Sequence, residues 1–191
     1  MRRLARRGLT VVAVAVLVML PGAADAERHG DHDALADVWA TPVGAVSYTA
    51  VPKHVEGDII ATRVIHAPRA VWIRVRLREL TTTTNGNFHR FAIKSDRRYR
   101  FVEIDALPGH WDGTALMTGS AGRPVTCALH FHIDYELNQI HLKIPRLCLG
   151  KPSWVRVGVR STVAGALRVF TDDGHSLGVP GRVALGRRVW H

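Results

Sequence analysis

The chain has 191 residues, of which 47% are hydrophobic and 22% charged, with a mean hydropathy of +0.01, a formal charge of +10 and a pI near 10.7. That hydrophobicity excludes a disordered polyelectrolyte, 17 Gly and 9 Pro are too few for a collagen-like repeat, and a single long apolar run excludes a multi-pass membrane protein. The length suits one domain plus a targeting segment.

Arg2, Arg3, Arg6 and Arg7 precede an uncharged apolar stretch over residues 9–20, and Pro21-Gly22 and Ala24-Asp25-Ala26 follow it. A positive start, a short apolar run and a small-x-small site are the pattern of a secretory signal peptide, here 1–26 with cleavage after Ala26. As a helix the apolar run spans only about 18 Å, short of the roughly 30 Å hydrocarbon core, so no stable membrane anchor is expected. The chain remaining after cleavage holds 22 Lys+Arg against 15 Asp+Glu and stays basic. Only Lys53, Lys94, Lys143 and Lys151 are lysines, and this Arg excess, with abundant Ala, Val and Gly, fits a GC-rich coding bias.

Residues 27–42 carry Asp31, Asp33 and Asp37 among small and polar residues and read as a loosely ordered entry segment. The domain proper is expected over 43–191. From residue 43 the pattern turns to period two: Val71, Ile73, Val75 and Leu77 alternate with Trp72, Arg74, Arg76 and Arg78. Leu129, Phe131 and Ile133 alternate with His130, His132 and Asp134; similar runs hold Ile140, Leu142 and Ile144, and Val155, Val157 and Val159. Such alternation marks strands with one face on a core and one in water. Turn signals such as Asn85-Gly86-Asn87, Pro108-Gly109 and Asp173-Gly174 separate the runs. Strands are predicted at 46–51, 58–66, 70–80, 88–95, 99–105, 113–118, 125–134, 139–144, 154–162 and 166–171, and the tail after 172 either adds a last strand or stays loose. The fold class is all-β: a single-domain antiparallel β-sandwich, jelly-roll or Ig-like, after the signal peptide.

A two-residue turn at Leu137-Asn138 would oppose Ile133 to Leu142 and Asp134 to His141. The same register places Cys127 opposite Cys148, and two cysteines in an exported chain predict one structural disulfide.

Three constellations are candidate sites. His130 and His132 project from one strand face, with His141 on the partner strand; imidazoles so placed suit zinc or copper in a metal-binding or metalloenzyme domain. Trp72, Arg74 and Arg76, with Arg156 on another strand, form a basic stripe with an aromatic neighbour, suited to an anionic polymer or glycan. The acidic set Glu56, Asp58, Asp172 and Asp173 falls at strand ends, where turn residues are common and where sandwich loops can also assemble oxygen ligands for calcium. No nucleic-acid-binding motif, G-x-S-x-G elbow or H-E-x-x-H zinc motif occurs, and no catalytic residue is assigned.

Two segments carry a family resemblance: residues 57–77, from Gly57-Asp58-Ile59 to Leu77, and residues 142–157, which include Ile144-Pro145 and Leu149-Gly150. Together they resemble uncharacterised exported proteins of high-GC bacteria. The run Ile144-Pro145-x-x-x-Leu149-Gly150 is similar to the strand-exit turn of DOMON-like and family 9 carbohydrate-binding sandwiches. The resemblance implies a β-sandwich and sugar or haem binding. It carries over no sugar-binding residue and no Met/His haem pair; Trp72, Trp111 and Trp154 are generic stacking candidates. The resulting expectation is a secreted, non-catalytic module that binds a cell-envelope or extracellular polymer. No cofactor and no nucleic-acid partner are expected. The alternatives are the histidine metal site and a structural protein that assembles through free edge strands.

Overall fold

The computed structural model describes residues 26–176 and 178–191. Apart from Ala26, the expected signal peptide lies outside these residues. Thirteen strands follow in chain order: β1 (Glu27–His32), β2 (Trp39–Pro42), β3 (Thr49–Ala50), β4 (Ile59–His66), β5 (Ala70–Leu77), β6 (Gly86–Ser95), β7 (Tyr99–Leu107), β8 (His110–Gly119), β9 (His130–Asp134), β10 (Gln139–Pro145), β11 (Trp154–Ala164), β12 (Arg168–Asp173) and β13 (Val189–Trp190). A 3-10 turn, Arg146–Leu149, follows β10. Among the described residues no helix is long and apolar enough to cross a membrane.

The strands form two antiparallel sheets. The first runs β1-β4-β5-β10-β9; the second runs β3-β2-β12-β11-β6-β7-β8, with β13 on β11. The period-two alternation explains why they stack. On β5, Val71, Ile73, Val75 and Leu77 are buried while Trp72, Arg74 and Arg76 are exposed. Ile140, Leu142 and Ile144 from the first sheet meet Phe91, Ile93, Val102, Ile104, Val155, Val157 and Val159 from the second in one hydrophobic cluster. This is the all-β sandwich expected from the alternation.

One expectation about order is overturned. Residues 27–42 are not loose: β1 pairs with β4 along six residues, and β2 pairs with β12 and β3. Of the two readings of the tail after 172, the added strand holds. The Nε of Arg156 donates to Gly186 O at 2.7 Å and its Nη2 to Leu185 O at 2.8 Å, Arg160 donates to Gly181 O, and β13 pairs with β11. β1 and the C-terminal tail also hold each other. Arg187 donates to the His29 ring, and the Trp190 N–H donates to the Glu27 carboxylate. None of these forces leaves an apolar period to read.

Gly158 shows how closely the tail lies. A Cβ there would come within 1.9 Å of Ala184 O and 2.9 Å of its carbonyl carbon, so only glycine fits between β11 and the tail. Gly158→Ala should cost about 1–3 kcal/mol in urea unfolding and speed proteolysis of the segment after 176. Unchanged stability together with unchanged proteolysis would refute this packing.

The β9–β10 register differs from expectation by two residues. Ile133 faces Ile140, and His132, not Asp134, faces His141. The reason is the turn. Asp134 Oδ1 accepts the N–H groups of Glu136 and Leu137, and Asn138 takes φ 54°, so residues 135–138 form a four-residue loop. The disulfide Cys127–Cys148 is nevertheless present, with Cα atoms 5.9 Å apart. It lies beyond the ladder and joins the crossover before β9 to the 3-10 turn. The shifted register is therefore not what brings the cysteines together. The strand expected over 125–134 begins only at His130, and the one expected over 46–51 shrinks to β3.

Candidate functional site

β5 is the central strand of the first sheet, so its outward side chains have neighbours on both sides. Strand pairing sets them in three rows. The first is Arg28, Ile65, Trp72, Lys143, His130; the second is Gly30, Arg63, Arg74, His141, His132; the third is His32, Ala61, Arg76, Gln139, Asp134. Adjacent strands lie about 4.8 Å apart and successive outward residues about 6.7 Å apart. The face therefore presents Arg28, Arg63, Arg74, Arg76 and Lys143, four histidines, and a single carboxylate at one corner. That carboxylate, Asp134, is occupied with its own turn. Among the described residues, none of the five permanent cations lies within salt-bridge distance of an acidic group.

Trp72 is 46% exposed and stands between two depressions. A groove of about 460 Å³ is bordered by Arg28, Arg63, Ile65, Arg74 and His141. A smaller one, about 180 Å³, lies against His130, His132 and Lys143. The Lys143 ammonium sits 4.7 Å from the centre of the Trp72 ring. His141 is held neutral more readily than a free imidazole, first by burial and then by the charge of Arg74. It offers this face one donor and one acceptor rather than a further charge.

Trp72, Arg74 and Arg76 thus share one face, as the alternation implies. Arg156 does not join them. It belongs to β11 in the other sheet, and its guanidinium is committed to the tail carbonyls. The histidines are closer neighbours than expected: His132 and His141 are direct cross-strand partners with ring centroids 6.5 Å apart, and His130 faces Lys143. Arg74 and Lys143 flank them with positive charge. Among the described residues, the one group whose ligand atoms converge is not this one but Asp33, Asp37 and Asp172.

That acidic group lies where the chain leaves β1 in one sheet for β2 in the other. Asp172 comes from the end of β12, its carboxylate accepting Ile59 N–H at 2.6 Å and Asp173 N–H at 2.7 Å. Asp58 precedes β4; its Oδ2 accepts Ala36 N–H at 3.0 Å and faces Arg78 at 3.4 Å. Burial, reinforced by Asp172 and Asp37, pushes Asp33 up to about 8. Burial likewise raises Asp172 to about 7, and Asp37 moves in the same direction. Of the acidic set expected from sequence, Asp58 and Asp172 come together here. Asp173 pairs with Arg160 at 3.1 Å, and Glu56 turns toward Thr81 and His54. Asp33 and Asp37 were missed because their segment has no strand pattern; their only signal was the clustering of acids between 31 and 37.

No family model, no curated protein and no solved structure matches the chain.

Proposed function

We propose that the protein is an exported, non-catalytic binding module whose first sheet holds an anionic glycan across its outer face. The observation that supports this reading is the face itself: five permanent cations, without an ion-pair partner among the described residues, surround an exposed tryptophan that borders two grooves. Arg guanidinium groups present planar forks that match carboxylate and sulfate oxygens two at a time, more tightly than an ammonium does. Trp72 adds a flat apolar surface for the carbon face of a sugar ring. The rows let one chain contact Arg28, Arg63 and Arg74 in succession. Export rests on the arginine-rich, apolar N-terminal segment.

Heparin serves as a sulfated-glycan probe, with polygalacturonate as the carboxylated one. Binding is expected at low ionic strength and should weaken as salt shortens the Debye length to about 8 Å at 0.15 M. Removing two forks with Arg63→Ala and Arg74→Ala should raise Kd by about tenfold to a hundredfold. Trp72→Ala should weaken glycan binding while leaving inorganic polyphosphate binding unchanged. Failure to bind either probe at low salt, or a double variant that binds like the parent, would overturn the assignment.

A further inference from the structure

We infer that the protein binds one divalent cation of the calcium type between Asp33, Asp37 and Asp172, with Asp58 beside them. A carboxylate oxygen from each of the first three lies within 4.8 Å of the others. Oxygens bound to a common calcium ion at about 2.3–2.6 Å can lie no more than about 5.2 Å apart, so this span fits one ion at their centre.

An independent observation points the same way. Asp33 Oδ2 and both oxygens of Asp37 are shielded from solvent yet accept no hydrogen bond among the described residues. The same is true of Asp58 Oδ1, and the Asp58 side chain is 0% exposed. Its other oxygen is bound to Ala36 N–H, beside Asp37, so the carboxylate is held against the loop that carries Asp33 and Asp37. Buried carboxylates without donors are costly unless paired or bound to a metal. Among the described residues, Arg78 at Asp58 is the one salt-bridge partner of these four acids. A dication bound among these oxygens would supply the partner that they lack.

The donor set decides the kind of ion. It is all oxygen, with no histidine or cysteine ligand, which suits hard cations and disfavours zinc or copper. The ligands come from the loop after β1 and the end of β12, with Asp58 just before β4. A bound ion would therefore tie both sheets together at this seam. The site adjoins the edge of the basic face, where Asp33 lines one depression with His32 and Arg76, but its carboxylates are not glycan contacts, so it stands whether or not a glycan binds there.

The test uses the purified, oxidised protein without a His tag, stripped with EDTA and titrated with calcium by calorimetry and thermal unfolding. One equivalent should bind, and the Tm should rise by roughly 5–10 °C at a hundred times Kd. Asp37→Asn keeps the shape and removes the charge of a carboxylate that has no other residue as a hydrogen-bond partner among the described residues. It should fold, raise the calcium-free Tm, and abolish the calcium-dependent rise. Asp33→Asn, at the other end of the loop, should behave the same way. Binding of calcium, magnesium and manganese each below about 0.1 equivalent, with unchanged Tm, would overturn the inference. So would a calcium response that survives in both variants while circular dichroism shows them folded.

Discussion

His89→Leu should be more stable than the parent protein at pH 7, and its advantage should widen steadily as the pH falls to 4. His89 lies on the inner face of the second sheet, where its strand partners are Ile104 and Ser161. It is 1% exposed, and neither ring nitrogen finds a partner among the described residues. Two unpaired polar atoms in a core are a penalty that leucine, of similar bulk, does not carry; the gain should be about 1–3 kcal/mol. The pH dependence follows from burial, which pushes His89 down to about 3. In the unfolded chain a histidine takes up its proton near 6.5. Between pH 6.5 and 3 the unfolded state therefore binds one proton more than the native state, and falling pH favours unfolding. The parent should lose about 1.4 kcal/mol per pH unit relative to the variant, about 3 kcal/mol by pH 4. Asp33 and Asp172, raised rather than lowered, contribute in the opposite direction, gaining native stability as they take up protons. Both are present in parent and variant, so they cancel in the difference. Urea midpoints from pH 4 to 8 measure it. A constant difference would mean that the ring is hydrated in solution and titrates normally.

What was legible in the sequence is whatever repeats with the period of a strand. Val71 to Leu77 announce a buried face and, by the same parity, put Trp72, Arg74 and Arg76 on the other. Parity does not say which strands lie alongside. Arg63, Arg28 and His141 join that face through pairings that only the assembled sheet specifies. Arg156 shows the converse limit: its outward parity is correct, but the tail folds over it and takes its guanidinium. The β9–β10 register slipped by two because the Asp134 side chain shapes the turn, and that local bond is invisible to a hydrophobic pattern. The slip preserved the faces, which is why the histidines still project together. Asp33 and Asp37 escaped notice for a different reason. Their segment is held by single bonds, Asp33 N–H to Ile60 O and Ala36 N–H to the Asp58 carboxylate, which leave no periodic trace.

Removing the disulfide should be the most destabilising change outside the core. The crossover from β8 to β9 carries the chain from the second sheet to the first through residues 120–129. Few backbone bonds hold it among the described residues: Gly119 N–H to Arg123 O, Gly122 N–H to Gly119 O, Val125 N–H to Met117 O, Leu129 N–H to Cys127 O. Ladder pairing resumes only at His130. The bond from Cys127 to Cys148 fastens this crossover to the 3-10 turn, which Leu149 anchors in the core. The linked positions are 21 residues apart. Closing such a loop removes denatured-state freedom amounting to about 3 kcal/mol. The double variant Cys127→Ser, Cys148→Ser should therefore lose about 3 kcal/mol in urea unfolding, and its Tm should fall by roughly 6–12 °C. Hydrogen exchange should show the loss of local protection concentrated in 120–129, since β5 and β11 are paired on both sides without it. Glycan binding supplies the decisive contrast. Trp72, Arg63 and Arg74 lie on β4 and β5, away from the crossover, so below its melting temperature the double variant should retain Kd within about threefold, ~0.6 kcal/mol. A larger loss of affinity would mean that β9, with His130 and His132, carries more of the glycan contact than the arginines do. A stability change below about 1 kcal/mol would instead mean that the crossover is held by its packing on Leu129 and Phe131 rather than by the bond.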